Sequence, residues 1–330
     1  MTILVTGGAG YIGSQVVRHL CDAGERPVVL DNLSTGSRRQ LPHGVPLIEA
    51  DAGDGRALQA ALAAHGVRDV MHFAGSISVE ESVRDPALYY RNNTGATATL
   101  IEACERAEVR NFIFSSTAAV YGAAAGKTPE SAAIAPVSPY GHSKWLAEEI
   151  IRAAAPASGL RYGILRYFNV AGADPQGRGG QINPHSRHLV SNALRAARGE
   201  LPAFEVFGAD YDTPDGSGVR DFIHVADLAD VHLRMLAHLR GGGESGVFNC
   251  GYGEGFSVLQ AIDVVKRVTG IDFPVRHAPR RAGDAAYIVA DTRLAQSILG
   301  WTPRFNDLDV IIAHAWAWET APQRHAMTPG

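Results

Sequence analysis

The sequence has little cysteine and no long apolar run. Cys21, Cys104 and Cys250 lie far apart in a chain of 330 residues, and none forms a CxxC pair. This odd number and wide spacing exclude a disulfide framework and indicate thiols in a reducing compartment. No apolar stretch approaches the ~18 residues that a membrane-spanning helix requires. The opening MTILVTGGAG lacks the basic leader of a secretory signal, so we expect a cytoplasmic protein.

The chain also lacks an excess of charge of one sign. Its 30 Lys and Arg against 34 Asp and Glu give a formal net charge of −4. We therefore expect neither nucleic acid nor a membrane surface as a partner. Hydrophobic residues make up 46% and charged residues 19% of the chain, which indicates a packed globule of one large or two modest domains.

Short apolar runs alternate with helical patterns in the first half. The predicted strands are residues 2–6, 27–31, 45–50, 69–74, 111–116 and 161–168, and the predicted helices between them are 11–23, 56–65, 86–107 and 139–154. Continuous apolar strands separated by helices are typical of a doubly wound parallel sheet buried on both faces, an α/β fold of Rossmann type. Loops rich in Gly, Asn and Pro follow residue 169, with helical patterns at 186–198, 225–238 and 257–268. These predict a smaller mixed α/β lobe.

A glycine-rich turn, LVTGGAGYIGS, follows the first predicted strand and leads into a helix. Gly7, Gly10 and Gly13 have the spacing G-x-x-G-x-x-G. Glycines allow the backbone N–H groups to approach a pyrophosphate, and the helix N-terminus adds partial positive charge. The turn therefore predicts a dinucleotide site; a glycine turn without a ligand is the less favoured alternative.

Acidic residues at the next two strand ends bear on the choice of dinucleotide. Asp31 ends the second strand, where a carboxylate binds a ribose diol and repels a 2′-phosphate, which favours NAD. Arg38 and Arg39 lie downstream in a loop and would favour NADP instead. Asp51 follows the third strand and is either an adenine contact or an ordinary acid at a strand end.

The segment SPYGHSKWLAEEI predicts an acid–base pair at the start of a helix. Ser138 is a good N-cap and Pro139 a good first residue, so Tyr140 and Lys144 share one helix face. We expect the nearby ammonium to favour the phenolate, so that Tyr140 accepts a proton at neutral pH. Thr117, at the end of the fifth strand, is placed to hydrogen-bond a substrate hydroxyl. An alternative, a solvated helix face, is disfavoured by the dinucleotide turn.

A histidine and aspartate cluster could suggest a metal site. His224, Asp227, Asp230 and His232 lie close together in the sequence, but a helix spreads them over different faces. We therefore predict capping and packing for these residues, and no metal.

These motifs resemble the extended short-chain dehydrogenase/reductases that act on sugar nucleotides, and within them the 4-epimerases. The resemblance runs from Ile3 to about Trp318 and is carried by VTGGAGYIGS, LDNLSTG, HFAGSISVEESV, YYRNNT, NFIFSSTAAVYG, SPYGHSK, LRYFNVAGA, FGADYDTPDGSGVRDFIHVADLA and APRRAGD. It implies reversible C4 epimerisation of a UDP-hexose through a 4-keto sugar with tightly bound NAD. It also implies an NAD-binding domain at 1–168 and a mainly UDP-sugar-binding lobe at 169–330, from which some segments return to the first domain.

The resemblance also implies the residues of the site. The NAD contacts would be Gly7, Gly10, Tyr11, Ile12, Gly13, Asp31, Asn32, Asp51, Ala52, Phe73, Ala74, Gly75, Asn92, Lys144 and Phe168. The UDP-sugar contacts would be Thr117, Tyr140, Asn169, His188, Leu189, Phe207, Arg220, Arg281 and Asp284. Two positions depart from the family pattern: Ser76 and Ile77 stand where relatives often carry a lysine, and His188 where many carry asparagine. A homodimer through the helices at 88–107 and 139–154 is implied, although these faces could also be covered within one monomer.

Other activities fit the sequence less well. A 4,6-dehydratase would need an Asp–Glu pair after the fifth strand, where this chain has Thr117, Ala118 and Ala119. A 4-epimerase of a UDP-pentose, UDP-uronate or UDP-N-acetylhexosamine is the main alternative. A non-catalytic NAD-sensing protein is less favoured, because it has no need of Tyr140, Lys144 and Thr117 together.

Overall fold

Parallel strands with helices on both faces form the larger part of the molecule. The structure is a computed structural model that describes residues 1–122, 126–281 and 284–327. In chain order its strands are β1 (Thr2–Thr6), β2 (Arg26–Asp31), β3 (Leu47–Glu49), β4 (Asp69–His72), β5 (Asn111–Thr117), β6 (Lys127–Thr128), β7 (Arg161–Tyr167), β8 (Asn169–Ala171), β9 (Phe204–Phe207), β10 (Val219–Arg220), β11 (Phe222–His224), β12 (Gly246–Cys250), β13 (Phe256–Ser257), β14 (Val275–Ala278) and β15 (Tyr287–Ala290). The main sheet has seven strands in the order β3-β2-β1-β4-β5-β7-β12, all parallel.

Helices connect these strands and cover the sheet. In chain order they are α1 (Tyr11–Asp22), α2 (Gly55–His65), α3 (Val79–Arg84), α4 (Pro86–Tyr89), α5 (Ala96–Arg106), α6 (Pro139–Ser158), α7 (Leu189–Ala197), α8 (Val225–Arg240), α9 (Val258–Thr269), α10 (Arg293–Leu299), α11 (Leu308–Glu319) and α12 (Pro322–Met327). One apolar core, which includes Ile3, Val29 and Met235, lies on one side of the sheet, and a second, which includes Leu4, Leu100 and Phe112, lies on the other. Burial on both faces explains why these strands read as continuous apolar runs.

The strand order reverses between β1 and β4, and this point positions the predicted cofactor turn. The loops after the two strands meet closely, because a Cβ placed on Gly7 would lie 2.5 Å from the backbone nitrogen of Ala74. In open α/β sheets, ligands bind at the carboxyl ends of the strands at such a reversal. The fold therefore brings the glycine turn and the segment Phe73–Gly75 to one place.

The segment predicted as helical at 86–107 is helical, but it is a composite. It consists of α4, a π-helical turn over Tyr90–Gly95, and α5. In the π turn the Asn93 side chain donates to the Ser76 carbonyl (3.0 Å) and to the Ser143 hydroxyl (2.9 Å). The wider turn points this buried amide toward Ser76, in the loop after β4. Turns of π-helical type are frequent at functional sites.

The second half of the chain contributes to the main sheet and also forms a smaller lobe. The strand β12 extends the main sheet beside β7, and α8 packs on α1. The remaining segments build a smaller lobe from a four-stranded sheet in the order β13-β10-β15-β6, two two-stranded sheets, and a core that joins α7, α9 and α11. This lobe faces the carboxyl ends of the main sheet through β8 and β11, since Asn169 pairs with Phe222.

Two features bear on the surroundings of the protein. All three cysteines are free thiols, with Cys104 and Cys250 buried. Among the described residues, no helix combines the length and the apolar character that crossing a bilayer demands.

Candidate active site

The glycine turn has the geometry that a pyrophosphate requires. Gly7 has φ of +69°, and a Cβ on Gly13 would lie 2.2 Å from the Gly7 carbonyl oxygen, so the turn and the first turn of α1 pack in backbone contact. Gly10 is the N-cap of α1 and no side chain caps this helix end. The first N–H groups of α1 are therefore left for an anionic ligand, as dinucleotide recognition needs.

Asp31 is fixed beside this turn by two backbone N–H groups. Its carboxylate accepts from Ala9 at 2.9 Å and from Leu33 at 2.8 Å, and burial raises its pKa. The next residue, Asn32, donates to the carboxylate of Asp51 at 2.9 Å. The two acids thus lie on adjacent strand ends beside the turn, where the sequence predicted the ribose and adenine contacts. Arg38 pairs with Glu49 at 3.6 Å on the surface.

The predicted acid–base pair lies at the carboxyl end of β5. The hydroxyl of Ser138 accepts from the backbone N–H of Gly141 at 3.1 Å, which confirms the N-cap and starts α6 at Pro139. Lys144 is 3% exposed and its Nζ donates to the Ser115 carbonyl at 2.8 Å.

The Thr117 side chain is near enough to the phenol of Tyr140 to oppose the rise in its pKa. All three predicted catalytic side chains therefore converge on the last residues of β5.

The electrostatics of this pair differ from the sequence-based expectation. Burial raises the pKa of Tyr140, and the Thr117 side chain only opposes this rise. Burial lowers the pKa of Lys144 to about 8, while the carboxylate of Glu148 opposes that change. The expectation that the Lys144 ammonium lowers the pKa of Tyr140 is therefore wrong for this arrangement. The physical reason is that both groups lose hydration, and one N–H of the ammonium is committed to a carbonyl.

The segment after β4 forms the wall opposite this pair. A Cβ on Gly75 would lie 2.7 Å from Oδ1 of Asn93 and 3.7 Å from Nζ of Lys144, so the backbone passes directly over the lysine. The predicted residue Asn92 donates to the Ser76 hydroxyl at 3.1 Å. Asn93, which sequence reasoning missed, accepts from the Ser76 N–H at 2.8 Å and fixes this wall.

Several predicted cofactor residues offer only their backbone or an apolar surface. The hydroxyl of Tyr11 donates to the Gly172 carbonyl at 2.7 Å, so its side chain joins the two halves of the chain. Ala52 and Phe168 are each 7% exposed and belong to buried structure. Phe73 packs on the ring of His232 at 4.8 Å. Ile12 is the second residue of α1 and packs on the core.

Two arginines meet in the smaller lobe. Nη2 of Arg220 lies 3.5 Å from the carboxylate of Asp284, and the guanidinium of Arg281 stacks on the ring of Phe207 at 3.6 Å. Burial and the like charge of Arg281 lower the pKa of Arg220, whereas Asp284 raises it. Two neighbouring guanidinium groups with one carboxylate leave net positive charge, which suits a diphosphate. Ala282 and Gly283, in the motif APRRAGD, lie outside the described residues.

The start of α7 completes this side of the site. His188 is its N-cap and Leu189 its first residue. Burial lowers the pKa of His188, and its Nδ1 has no hydrogen-bond partner among the residues that the structure describes. Asn169 donates its N–H to the Asp221 carbonyl at 2.9 Å and starts β8, which follows β7 in the chain and pairs with β11. The predicted sugar-nucleotide residues thus come from several separate segments of the chain.

The pairing of β15 with β10 determines which residue of β15 lies on the same face of the sheet as Arg220. Ile288 pairs with Arg220 and Tyr287 with Val219, in parallel strands. Because partners in register lie on the same face of a sheet, Ile288 shares the face of Arg220. The hydroxyl of Tyr287 lies near Gly255 on the opposite face, 3.7 Å from a Cβ placed there.

The four residues of the histidine and aspartate cluster have separate partners. His224 contacts His314 at 3.0 Å, and Asp227 accepts from the Tyr252 hydroxyl at 2.7 Å. The carboxylate of Asp230 pairs with Arg234, and Nδ1 of His232 bonds the Leu228 carbonyl. Within the described ranges, no group of three or more His, Cys, Asp or Glu side chains could hold a metal ion.

Comparisons with known proteins agree with this geometry. The model of the NAD dependent epimerase/dehydratase family matches residues 3–251. UDP-glucose 4-epimerase of Azospirillum brasilense is 50% identical over 318 residues, which cover 96% of this chain and 91% of that protein.

Solved structures give the same result. UDP-glucose 4-epimerase from Brucella ovis in complex with NAD is 42% identical with a TM-score of 0.91, covering 96% of this chain and 97% of that chain. The enzyme from Bifidobacterium longum in complex with NAD⁺ and UDP is 35% identical with a TM-score of 0.92, covering 98% and 99%.

The chain belongs to the NAD dependent epimerase/dehydratase family. Membership confirms the predicted α/β fold with its doubly wound sheet, the resemblance to sugar-nucleotide epimerases, and the use of NAD.

Proposed function

We propose that this chain catalyses the reversible C4 epimerisation of a UDP-hexose, interconverting UDP-glucose and UDP-galactose through a 4-keto sugar. The observation that carries the proposal is the convergence of Tyr140, Lys144 and Thr117 at the end of β5, beside the glycine turn. The same reaction is named for relatives that match nearly the whole chain.

Tyr140 is the proton acceptor and donor for the sugar 4-hydroxyl. Thr117 lies beside the phenol and, in the complex, shares its hydroxyl with the sugar. Lys144 holds nicotinamide ribose hydroxyls with the N–H bonds that Ser115 does not take. NAD, when bound, supplies the hydride acceptor and donor for C4. Because the raised pKa of Tyr140 disfavours its phenolate, we expect the positive charge of the oxidised cofactor to be the main cause of proton release.

In this proposal, residues at the carboxyl ends of β1, β2 and β4 would hold the cofactor. Gly7, Gly10 and Gly13 admit the pyrophosphate to the N–H groups at Tyr11 and Ile12. Asp31 and Asn32 face the adenosine ribose, Asp51 and Ala52 the adenine, and Phe73, Ala74, Gly75, Asn92 and Phe168 the rest of the cofactor. NAD is favoured over NADP because the Asp31 carboxylate lies where a 2′-phosphate would have to fit.

The UDP group lies against the smaller lobe. Arg220 and Arg281 neutralise the diphosphate, Phe207 and Leu189 flank the nucleoside, and Asp284, Asn169 and His188 supply polar contacts. A firmly held nucleotide with few contacts to the hexose lets the 4-keto sugar turn within the site, so that both faces of C4 are reached in succession.

The proposal also covers the oligomeric state and the cellular compartment of the enzyme. We propose a homodimer formed by α5 and α6, which pack on each other and carry the half-buried apolar residues Trp145 and Ile150. We also place the enzyme in the cytoplasm, because three free thiols suit a reducing compartment. Sedimentation at micromolar concentration tests the dimer: a mass of one chain, 35.1 kDa, would refute it.

A panel of UDP-sugars tests the activity. Purified protein without added NAD should convert UDP-galactose to UDP-glucose, because the cofactor is carried with the protein and its redox state is restored each turn. UDP-xylose, UDP-glucuronate and UDP-N-acetylglucosamine in the same panel identify a pentose, uronate or N-acetylhexosamine epimerase. Failure to turn over any of them, in protein shown to contain NAD, would contradict an epimerase and favour an NAD-sensing protein.

A further inference from the structure

Helix α6 presents a third polar side chain on the face that carries the predicted catalytic pair. Tyr140, Lys144 and Glu148 are four residues apart and so lie on one face of the helix. The first two contact the end of β5 as described above. Glu148 contacts the same strand, because it accepts a hydrogen bond from the Ser116 hydroxyl at 2.5 Å. The three side chains therefore attach α6 to three consecutive residues of β5.

Glu148 is also half of a fully buried ion pair. It is 0% exposed, and Arg166 on β7 is 1% exposed. Nε and Nη2 of the guanidinium donate to the two carboxylate oxygens at 3.0 and 2.6 Å. Arg166 also donates to the Tyr121 hydroxyl at 2.8 Å, which donates to Asn249 on β12 at 2.7 Å. The pair thus joins α6 to three neighbouring strands.

Stability alone is a weak reason for such a pair. Burying two charges costs several kcal/mol each, and an apolar pair of similar volume is often as stable. What the pair does supply is a carboxylate on the face of α6 that carries Lys144, one helical turn away from it. Arg166, Arg152 at 3.1 Å and the Ser116 hydroxyl all donate hydrogen bonds to this carboxylate.

Few other groups set the charge state of Lys144. Its Nζ lies 4.7 Å from the ring centre of Phe114 and bonds a neutral carbonyl. His72 on β4 is buried and neutral, since burial lowers its pKa to about 3. Tyr140 is neutral until it releases its proton. Glu148 is therefore the anion that opposes the effect of burial on the pKa of Lys144.

We propose that Glu148 is a positioning residue of the epimerisation, which holds the reactive face of α6 against β5 and sustains the charged form of Lys144. The inference rests on the proposed function, because it presumes that Lys144 acts as an ammonium. Glu148 does not contact the substrate or the cofactor in this proposal, and it acts only through Lys144 and the register of α6.

The pH dependence of kcat distinguishes this role from simple packing. Glu148→Gln removes the charge at almost constant shape. We expect the alkaline limb of the kcat profile to move down by about one pH unit, with KM for UDP-galactose unchanged. Glu149→Gln is the matched control: its side chain is 49% exposed and pairs with Arg152 at 3.6 Å, so the profile should not move.

A second variant covers the case in which Glu148→Gln fails to fold. The double variant Glu148→Gln/Arg166→Gln removes the whole buried pair, and its alkaline limb should move in the same direction by a smaller amount, because a cation is lost together with the anion. A profile of either folded variant that superimposes on the wild type after scaling would overturn the proposal. If Tyr140→Phe retains activity, the proposed function itself fails; if Tyr140→Phe is inactive while the Glu148→Gln profile is unmoved, only this inference fails.

Discussion

The two regions on either side of the predicted reaction centre hold their polar side chains in different ways. On the cofactor side Asp31 and Lys144 are buried and already bonded to the backbone, Asp31 to two N–H groups and Lys144 to a carbonyl. On the nucleotide–sugar side Arg281 and Asp284 are exposed, and Arg220 keeps one loose carboxylate partner at 3.5 Å. The cofactor side is therefore preformed, whereas the nucleotide–sugar side is made of residues from separate loops.

This difference fits the two ligands. A cofactor whose redox state is restored each turn has no need to leave. A preformed cofactor side of the site, called the cradle below, reduces the free-energy cost of binding the cofactor. A substrate must enter, turn over its sugar and leave, and loops supply that freedom. The contrast predicts that substitutions in the cradle affect cofactor retention and stability, while those in the loops affect KM.

The largest effect is expected in the cradle. Gly13→Ala places a Cβ 2.2 Å from the Gly7 carbonyl, a backbone atom that cannot yield without moving α1 from the turn. We expect a loss of roughly 1–3 kcal/mol in the free energy of unfolding and little NAD in the purified protein. Thermal unfolding and absorbance of released NAD measure both. Gly126→Ala is the control, since nothing lies within 4 Å of its added Cβ; equal behaviour of the two variants would refute the role of the turn.

The effect expected in the loops is confined to substrate binding. Arg220→Gln removes a charged donor to the diphosphate, worth about 1.5–3 kcal/mol, which corresponds to a rise in KM of roughly ten- to a hundredfold. The value of kcat should change little, because the guanidinium does not touch the reacting carbon. Initial rates with UDP-galactose test this, with the exposed Arg276→Gln as the control. A fall in kcat at constant KM would contradict the prediction that substitutions in the loops act on KM.

The smallest effect concerns pH and is expected to be equal in both regions. His72 in the cradle and His224 in the smaller lobe are buried and neutral, and burial lowers the pKa of each to about 3. Below the unfolded pKa of 6.5 the unfolded chain gains protons that the folded chain does not, so stability falls as the pH falls toward 3.

Each histidine contributes about 1.4 kcal/mol per pH unit in that window. Urea unfolding of His72→Gln and His224→Gln between pH 6 and pH 5 should therefore show a shallower loss of stability than the wild type. An unchanged slope would mean that the histidine is protonated in the folded state.

The cradle was predictable because its signals are contiguous in the sequence. The spacing of Gly7, Gly10 and Gly13, and the interval between Tyr140 and Lys144, each specify a local geometry that the structure contains. Asn93 was missed because a π turn and an α-helix share nearly the same apolar pattern, and only the wider turn aims this amide at Ser76.

Contacts between distant segments could not be read from local pattern. The hydroxyl of Tyr11 bonds Gly172, 161 residues away, and Arg166 pairs with Glu148 across two elements. The pKa of Tyr140 was expected to be lowered by a neighbour, whereas burial raises it, since desolvation depends on the whole fold. Spacing predicts which groups meet, and packing decides how strongly they are desolvated.

The most direct test of the account is the turnover of Tyr140→Phe. The variant keeps the ring and removes the hydroxyl that exchanges a proton with the sugar, so kcat for UDP-galactose should fall at least a hundredfold, about the contribution of a general acid–base group. Bound NAD should remain at the wild-type level. Tyr162→Phe, at the amino end of β7, should behave as the wild type. Turnover of Tyr140→Phe within tenfold of the wild type would contradict the account.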